Sequence, residues 1–115
     1  MGRLSTHILD TARGRPADGV GIRLFALDET RELLASAVSN ADGRTDQPLL
    51  QDSAMRTGTY ELEFDVGDYF AALGTVVDEP AFLDTVVIRF SVQETQNYHV
   101  PLLVTPWSYS TYRGS

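Results

Sequence analysis

The sequence predicts an all-β protein, a sandwich of two sheets with one short helix. Three observations lead there. Apolar and polar residues alternate with a period of two along most of the chain. Gly, Pro, Asn and Asp punctuate the alternating runs at short intervals, and one segment alone breaks the alternation.

The first strand is expected over Leu4 to Asp10, ended by Arg13-Gly14-Arg15-Pro16, which reads as a break. A second runs from Val20 to Leu27, with Val20, Ile22 and Leu24 on one face, and a third from Leu33 to Val38. Asn40-Ala41-Asp42-Gly43 then carries a turn signal, because Asn and Gly tolerate the backbone angles that turns demand. In the fourth strand, Thr59 to Asp65, Tyr60, Leu62 and Phe64 alternate with Thr59, Glu61 and Glu63, the pattern of a sheet with one wet face. Asp68 to Leu73 departs from period two, with Asp near its start and Gly74 at its C-terminal end, and is expected to be helical. Strands resume at Thr85 to Gln93, where Val86, Ile88, Phe90 and Val92 form the buried row. Tyr98 to Val104 and Trp107 to Tyr112 are joined so briefly, by Thr105-Pro106, that they should form an antiparallel hairpin.

With 115 residues, 43% hydrophobic and 22% charged, the chain is expected to be one domain over 1–115 with a single core. The net charge of -7 argues against a nucleic-acid partner, which calls for a basic patch. The chain has no cysteine, which rules out disulfides and thiolate metal sites. The opening MGRLSTHILD has no long apolar segment and no run approaches a membrane span, so a soluble, cytoplasmic protein without membrane association is expected.

Few residues are suited to chemistry. There are two histidines, His7 and His99, either able to act as acid or base near neutral pH, although a histidine on a strand can equally be structural. His7 shares its strand face with Ser5 and Leu9. If the terminal hairpin turns on Thr105-Pro106, facing residues sum to about 211, which sets Tyr112 opposite His99. That register puts Trp107, Tyr109 and Val100 on the core face. Arg44 follows the turn, where it is either a solvated charge or a fork of donors for a planar, oxygen-rich ligand, with Asp46 able to orient it. No HxH, HxxxH or HExxH spacing suggests a metal, and there is no phosphate-binding glycine loop or nucleophile elbow.

Four stretches, LSTHILDTARGRPA, NADGRTD, FDVGDYF and YHVPLLVTPWSYSTYRGS, together resemble the 5-hydroxyisourate hydrolases, transthyretin-related enzymes of purine degradation, from Leu4 to Ser115. The ending Tyr112-Arg113-Gly114-Ser115 is the most specific of them. The resemblance implies a prealbumin-like sandwich of two four-stranded sheets, assembled into a homotetramer with active sites at the dimer-dimer interface of a central channel. It implies catalytic roles for His7, His99, Arg44, Tyr112 and Ser115, and substrate binding by His7, Arg44, Tyr112, Arg113, Gly114 and Ser115. The implied reaction is hydrolytic ring opening of 5-hydroxyisourate to 2-oxo-4-hydroxy-4-carboxy-5-ureidoimidazoline, with no cofactor and no metal. Either histidine could be the base. Hormone-carrying relatives have lysine and glutamate at the positions matching His7 and Arg44, so those two residues point to the enzyme. Asn97, on the face of His99, and Thr105 depart from the common pattern, where histidine and serine are usual. The alternatives are a transthyretin-like carrier of small ligands and a non-catalytic sandwich for protein contact.

Overall fold

A computed structural model describes residues 2–75 and 78–114. Its strands are β1 (Arg3–Asp10), β2 (Arg15–Pro16), β3 (Gly21–Leu27), β4 (Arg31–Val38), β5 (Leu50–Gln51), β6 (Gly58–Asp65), β7 (Thr85–Val92), β8 (Asn97–Val104) and β9 (Tyr109–Thr111). One helix, α1 (Val66–Ala72), follows β6. The first sheet runs β2-β1-β8-β9 with β5 also paired to β1, and the second runs β4-β3-β6-β7. The all-β sandwich expected from the alternation is the observed architecture.

The strand count of the first sheet is a correction. It holds five strands rather than four, because Leu50–Gln51 adds to β1 and Arg15–Pro16, read as a break, folds back on Leu9 and Asp10. Two residues are too short to show any period. A 3-10 turn over Asp52–Ala54 was likewise unforeseen.

The alternation becomes two apposed apolar rows. Leu4, Ile8, Leu102 and Val104 of the first sheet face Ile22, Leu24, Leu62, Phe64 and Val86 of the second, all at most 1% exposed. Sealing this much apolar surface between the layers is the main force holding the sheets together. Helix α1 buries Val66, Tyr69 and Phe70. It ends in a Schellman arrangement, with Gly74 at φ 74° and its N–H donating to Ala71 O at 3.0 Å, and Thr75 N–H donating to Phe70 O at 3.2 Å. The Tyr69 hydroxyl donates to the buried Asp10 carboxylate at 2.8 Å and so ties the helix to the end of β1. Desolvation and that carboxylate push the phenol up to about 12.

The strand order that matters for function is β1 beside β8. They pair in parallel over their whole length, with Ser5 opposite His99 and His7 opposite Pro101. Residues 94 positions apart in sequence become neighbours.

Candidate active site

Because side chains alternate across a strand, burying Leu4, Thr6 and Ile8 turns Ser5, His7 and Leu9 outward. The same rule on β8 buries Val100 and Leu102 and turns His99 out to the same side. The two imidazoles lie with ring centroids 6.4 Å apart. Their convergence, expected from the resemblance and not derivable from spacing, follows from the parallel register of two short sequences.

Arg44 arrives through the turn after β4. Asn40 Oδ1 accepts from the backbone N–H groups of Asp42 at 3.0 Å and Arg44 at 3.1 Å, which closes the loop into a tight knot. The knot is pinned on β1: Ile8 N–H donates to Gly43 O at 2.7 Å, and His7 Nε2 donates to Asp42 O at 2.8 Å. A carbonyl only accepts, so that bond places a proton on His7 Nε2. Gly43 sits at φ 75°, and a Cβ there would run into Ile8 O. Glycine is required both for the angle and for the approach. Asp46, expected to orient Arg44, instead accepts from Asn40 Nδ2 at 3.0 Å and braces the loop. Among the described residues Arg44 has no ion pair.

His99 is held from two sides. Ser5 Oγ and His99 Nδ1 are 2.9 Å apart, and Gly114 N–H donates to His99 O at 2.7 Å. A Cβ on Gly114 would come within 2.9 Å of His99 Cδ2, so the close approach needs glycine. Burial, then the charges of Arg44 and His7, lower the His99 pKa from its usual value and favour the neutral ring. Arg44 lines one cleft with Ser5, the hydrogen-bond partner of His99, so the guanidinium is close enough to the imidazole to act on it.

The register of the terminal hairpin differs from expectation by two. Leu103 faces Ser110 and His99 faces Gly114, sums of 213, so Gly114 and not Tyr112 stands opposite His99. The cause is the turn. Thr105 Oγ1 accepts from Trp107 N–H at 3.1 Å and Ser108 N–H at 2.9 Å, and Thr105 N–H donates to Ser108 O, making a four-residue loop instead of a two-residue one. A slip of two preserves the face of each side chain. Trp107 lies in that loop at 57% exposure and not in the core, and Tyr109, though on the side of Val100, is 45% exposed beyond the cover of the opposite sheet. Tyr112 is 60% exposed. Arg113 turns to the other face, where its guanidinium lies 4.3 Å from the Tyr98 ring centre and donates to Gln96 Oε1 at 2.8 Å, anchoring the segment. The expectation placed on Ser115 falls outside the described residues.

The constellation lies on an open sheet face. A cleft of about 280 Å³ beside it is lined by Ser5, Arg44, Thr45 and Asp46, and a larger one of about 660 Å³ lies apart at Arg13, Arg15, Tyr69 and Leu73. Neither imidazole lines either cleft, and the chemistry-bearing groups converge only on the face. Sequence reasoning missed Ser5, Asn40 and the Asp42 carbonyl. Ser5 had a signal in its period-two spacing from His7, and Asn40 in the turn signal it opens; the Asp42 carbonyl had none.

Comparison with known proteins matches residues 4–114 to the model of the HIUase/Transthyretin family. A 5-hydroxyisourate hydrolase of Mesorhizobium japonicum is 55% identical over 115 residues, covering 99% of this chain and 93% of the relative. The crystal structure of an (S)-allantoin synthase superposes with TM-score 0.95 at 44% identity, covering 99% of this chain, which spans only 44% of that longer one. Sea bream transthyretin in complex with thyroxine superposes with TM-score 0.86 at 26% identity, covering 97% of this chain and 94% of its own.

Proposed function

The chain belongs to the HIUase/Transthyretin family, and from that premise we propose that it hydrolyses 5-hydroxyisourate to 2-oxo-4-hydroxy-4-carboxy-5-ureidoimidazoline, with residues 1–115 acting as one hydrolase domain. The observation that carries this reading is the meeting of His7 and His99 on one sheet face, with Arg44, which has no ion pair among the described residues, on the loop beside them. Ring opening needs a proton acceptor for the attacking water, a donor for the leaving ring nitrogen, and positive charge beside the developing oxyanion. The imidazoles, 6.4 Å apart, can reach different atoms of one small planar molecule and share the first two tasks. Arg44 supplies the third. Tyr112 and Ser115 orient the water or an imidazole, Gly114 leaves room beside His99, and Arg113 holds the segment in place. No cofactor or metal enters this scheme.

An open face cannot by itself exclude water from a reaction. A homotetramer that closes the face into a channel supplies the missing wall, and the exposed Trp107, Tyr109 and Tyr112 of the terminal hairpin suit such a contact. Light scattering on the eluting protein should give four times the chain mass. We place the protein in the cytoplasm; no described helix is long and apolar enough to cross a membrane.

The deciding experiment follows the optical decay of freshly made 5-hydroxyisourate with and without the protein, against its unaided breakdown. Acceleration proportional to protein supports the hydrolase, and a decay unchanged by the protein defeats it. The likeness to a thyroxine-bound transthyretin favours a second reading, a carrier using the same face without chemistry. Deleting Arg113–Ser115 separates the two: a hydrolase loses turnover, whereas a carrier keeps its ligand affinity.

A further inference from the structure

We infer that Ser5 is a positioning residue that holds His99 in the tautomer with its proton on Nε2, leaving His7 as the base. The first half stands on geometry alone. Ser5 and His99 are directly opposed in the parallel β1·β8 ladder, so the backbone fixes the hydroxyl against Nδ1 at 2.9 Å. Ser5 Oγ has no other hydrogen-bond partner among the described residues, so Nδ1 is the one described acceptor for its hydrogen, and we assign the hydroxyl as the donor. Nδ1 is then the acceptor, and a neutral ring carries its proton on Nε2. A side chain at position 114 would press on His99 Cδ2, and Gly114 leaves that side of the ring uncrowded.

His7 is fixed in a complementary way. Its Nε2–H is engaged by the Asp42 carbonyl at 2.8 Å, so the lone pair of its neutral ring is on Nδ1. One imidazole therefore offers an N–H and the other an acceptor. Burial, then the nearby Arg44 charge, lowers the His99 pKa and makes that ring a weaker base, so its Nε2–H serves as a hydrogen-bond donor to a carbonyl or leaving nitrogen. This division of labour rests on the hydrolase reading, but the tautomer does not.

The test is a long-range ¹H–¹⁵N spectrum of the imidazoles in the free protein at neutral pH, alongside kcat and KM. Wild type should show a pyrrole-type Nε2 and a pyridine-type Nδ1 for His99. Ser5→Ala should lose that pattern and lower kcat about three- to ten-fold, the scale of one net hydrogen bond, with KM almost unchanged. Ser5→Thr should restore both. A proton found on His99 Nδ1 in the wild type, or a Ser5→Ala protein with unaltered nitrogen shifts, overturns the assignment. If Ser5→Ala does not fold, the wild-type and Ser5→Thr spectra still decide it. A wild type showing the expected nitrogen pattern without hydrolase activity would defeat the hydrolase and support the Ser5 contact.

Discussion

The outward faces of the two sheets carry charged and polar rows built by the same alternation, yet they are used in opposite ways. On the second sheet the charged members of the row are matched with one another. Arg23 bonds Glu63 at 3.0 Å and Asp65 at 2.7 Å, Arg31 reaches Glu63 at 2.6 Å and Glu61 at 3.6 Å, and Arg89 bonds Glu61 at 2.9 Å. The Arg23 guanidinium holds the Asp65 carboxyl below its usual range and is itself raised. On the outward side of the first sheet, His7 and His99 are tethered by neutral groups, the Asp42 carbonyl and the Ser5 hydroxyl, and the Arg44 guanidinium beside them has no carboxylate partner among the described residues. A row whose charges neutralise one another is complete within the fold. A row positioned by neutral hydrogen bonds keeps its charge and its protons for a ligand.

Mutation can break or sharpen that contrast. The largest effect should come from His99→Ala, which removes an acid-base group and should cut turnover by about 10² to 10⁴ while the circular dichroism spectrum is kept. Gly43→Ala comes next. It puts a side chain at φ 75° against Ile8 O, and should cost about 1 to 3 kcal/mol in a denaturant titration as well as displacing Arg44 and the His7 anchor. Gly114→Ala should leave stability nearly intact and lower kcat about ten-fold by crowding His99, a loss of remote positioning. Asp65→Asn, on the matched face, should invert the pattern. Turnover stays at wild-type level and stability falls by about 1 kcal/mol, discounted because the pair is partly exposed.

The smallest effects are in pH. Asp65 has a lowered folded pKa, so its contribution is present above the unfolded value of about 3.9 and is lost as pH falls through the folded value. The melting temperature should drop in that acid range in wild type and less steeply in Asp65→Asn. His99 is also lowered, so the unfolded chain takes its proton first. Stability therefore declines as pH falls from about 6.5 toward the folded value, and His99→Ala should flatten that part of the curve.

What was legible in the sequence was what period two controls. The boundaries of β3, β6, β7 and β8 fall within two residues of those expected, and the outward facing of Ser5, His7 and His99 follows from their inward neighbours. Helix α1 begins two residues earlier than expected because Val66 and Gly67 are drawn into the core contact, a tertiary effect on a short segment. The pairing of Gly114 with His99 was not legible, since it depends on Thr105 Oγ1 capping two N–H groups and lengthening the turn. Nor was the His7 anchor, because a backbone carbonyl carries no side-chain identity. The meeting of the two histidines came through resemblance to a family, as parallel pairing across 94 residues leaves no local trace.

That parallel pairing has a consequence for how the molecule comes into being. A loop of such span closes late, since distant segments must find each other against the largest entropic cost. During synthesis the ribosome releases β1 long before β8, and until β8 follows, the edge of β1 that will pair with it stays open, its backbone N–H and C=O groups unmatched. The nascent protein is thus exposed to misassociation until β8 docks, and the same docking event switches on the imidazole pair.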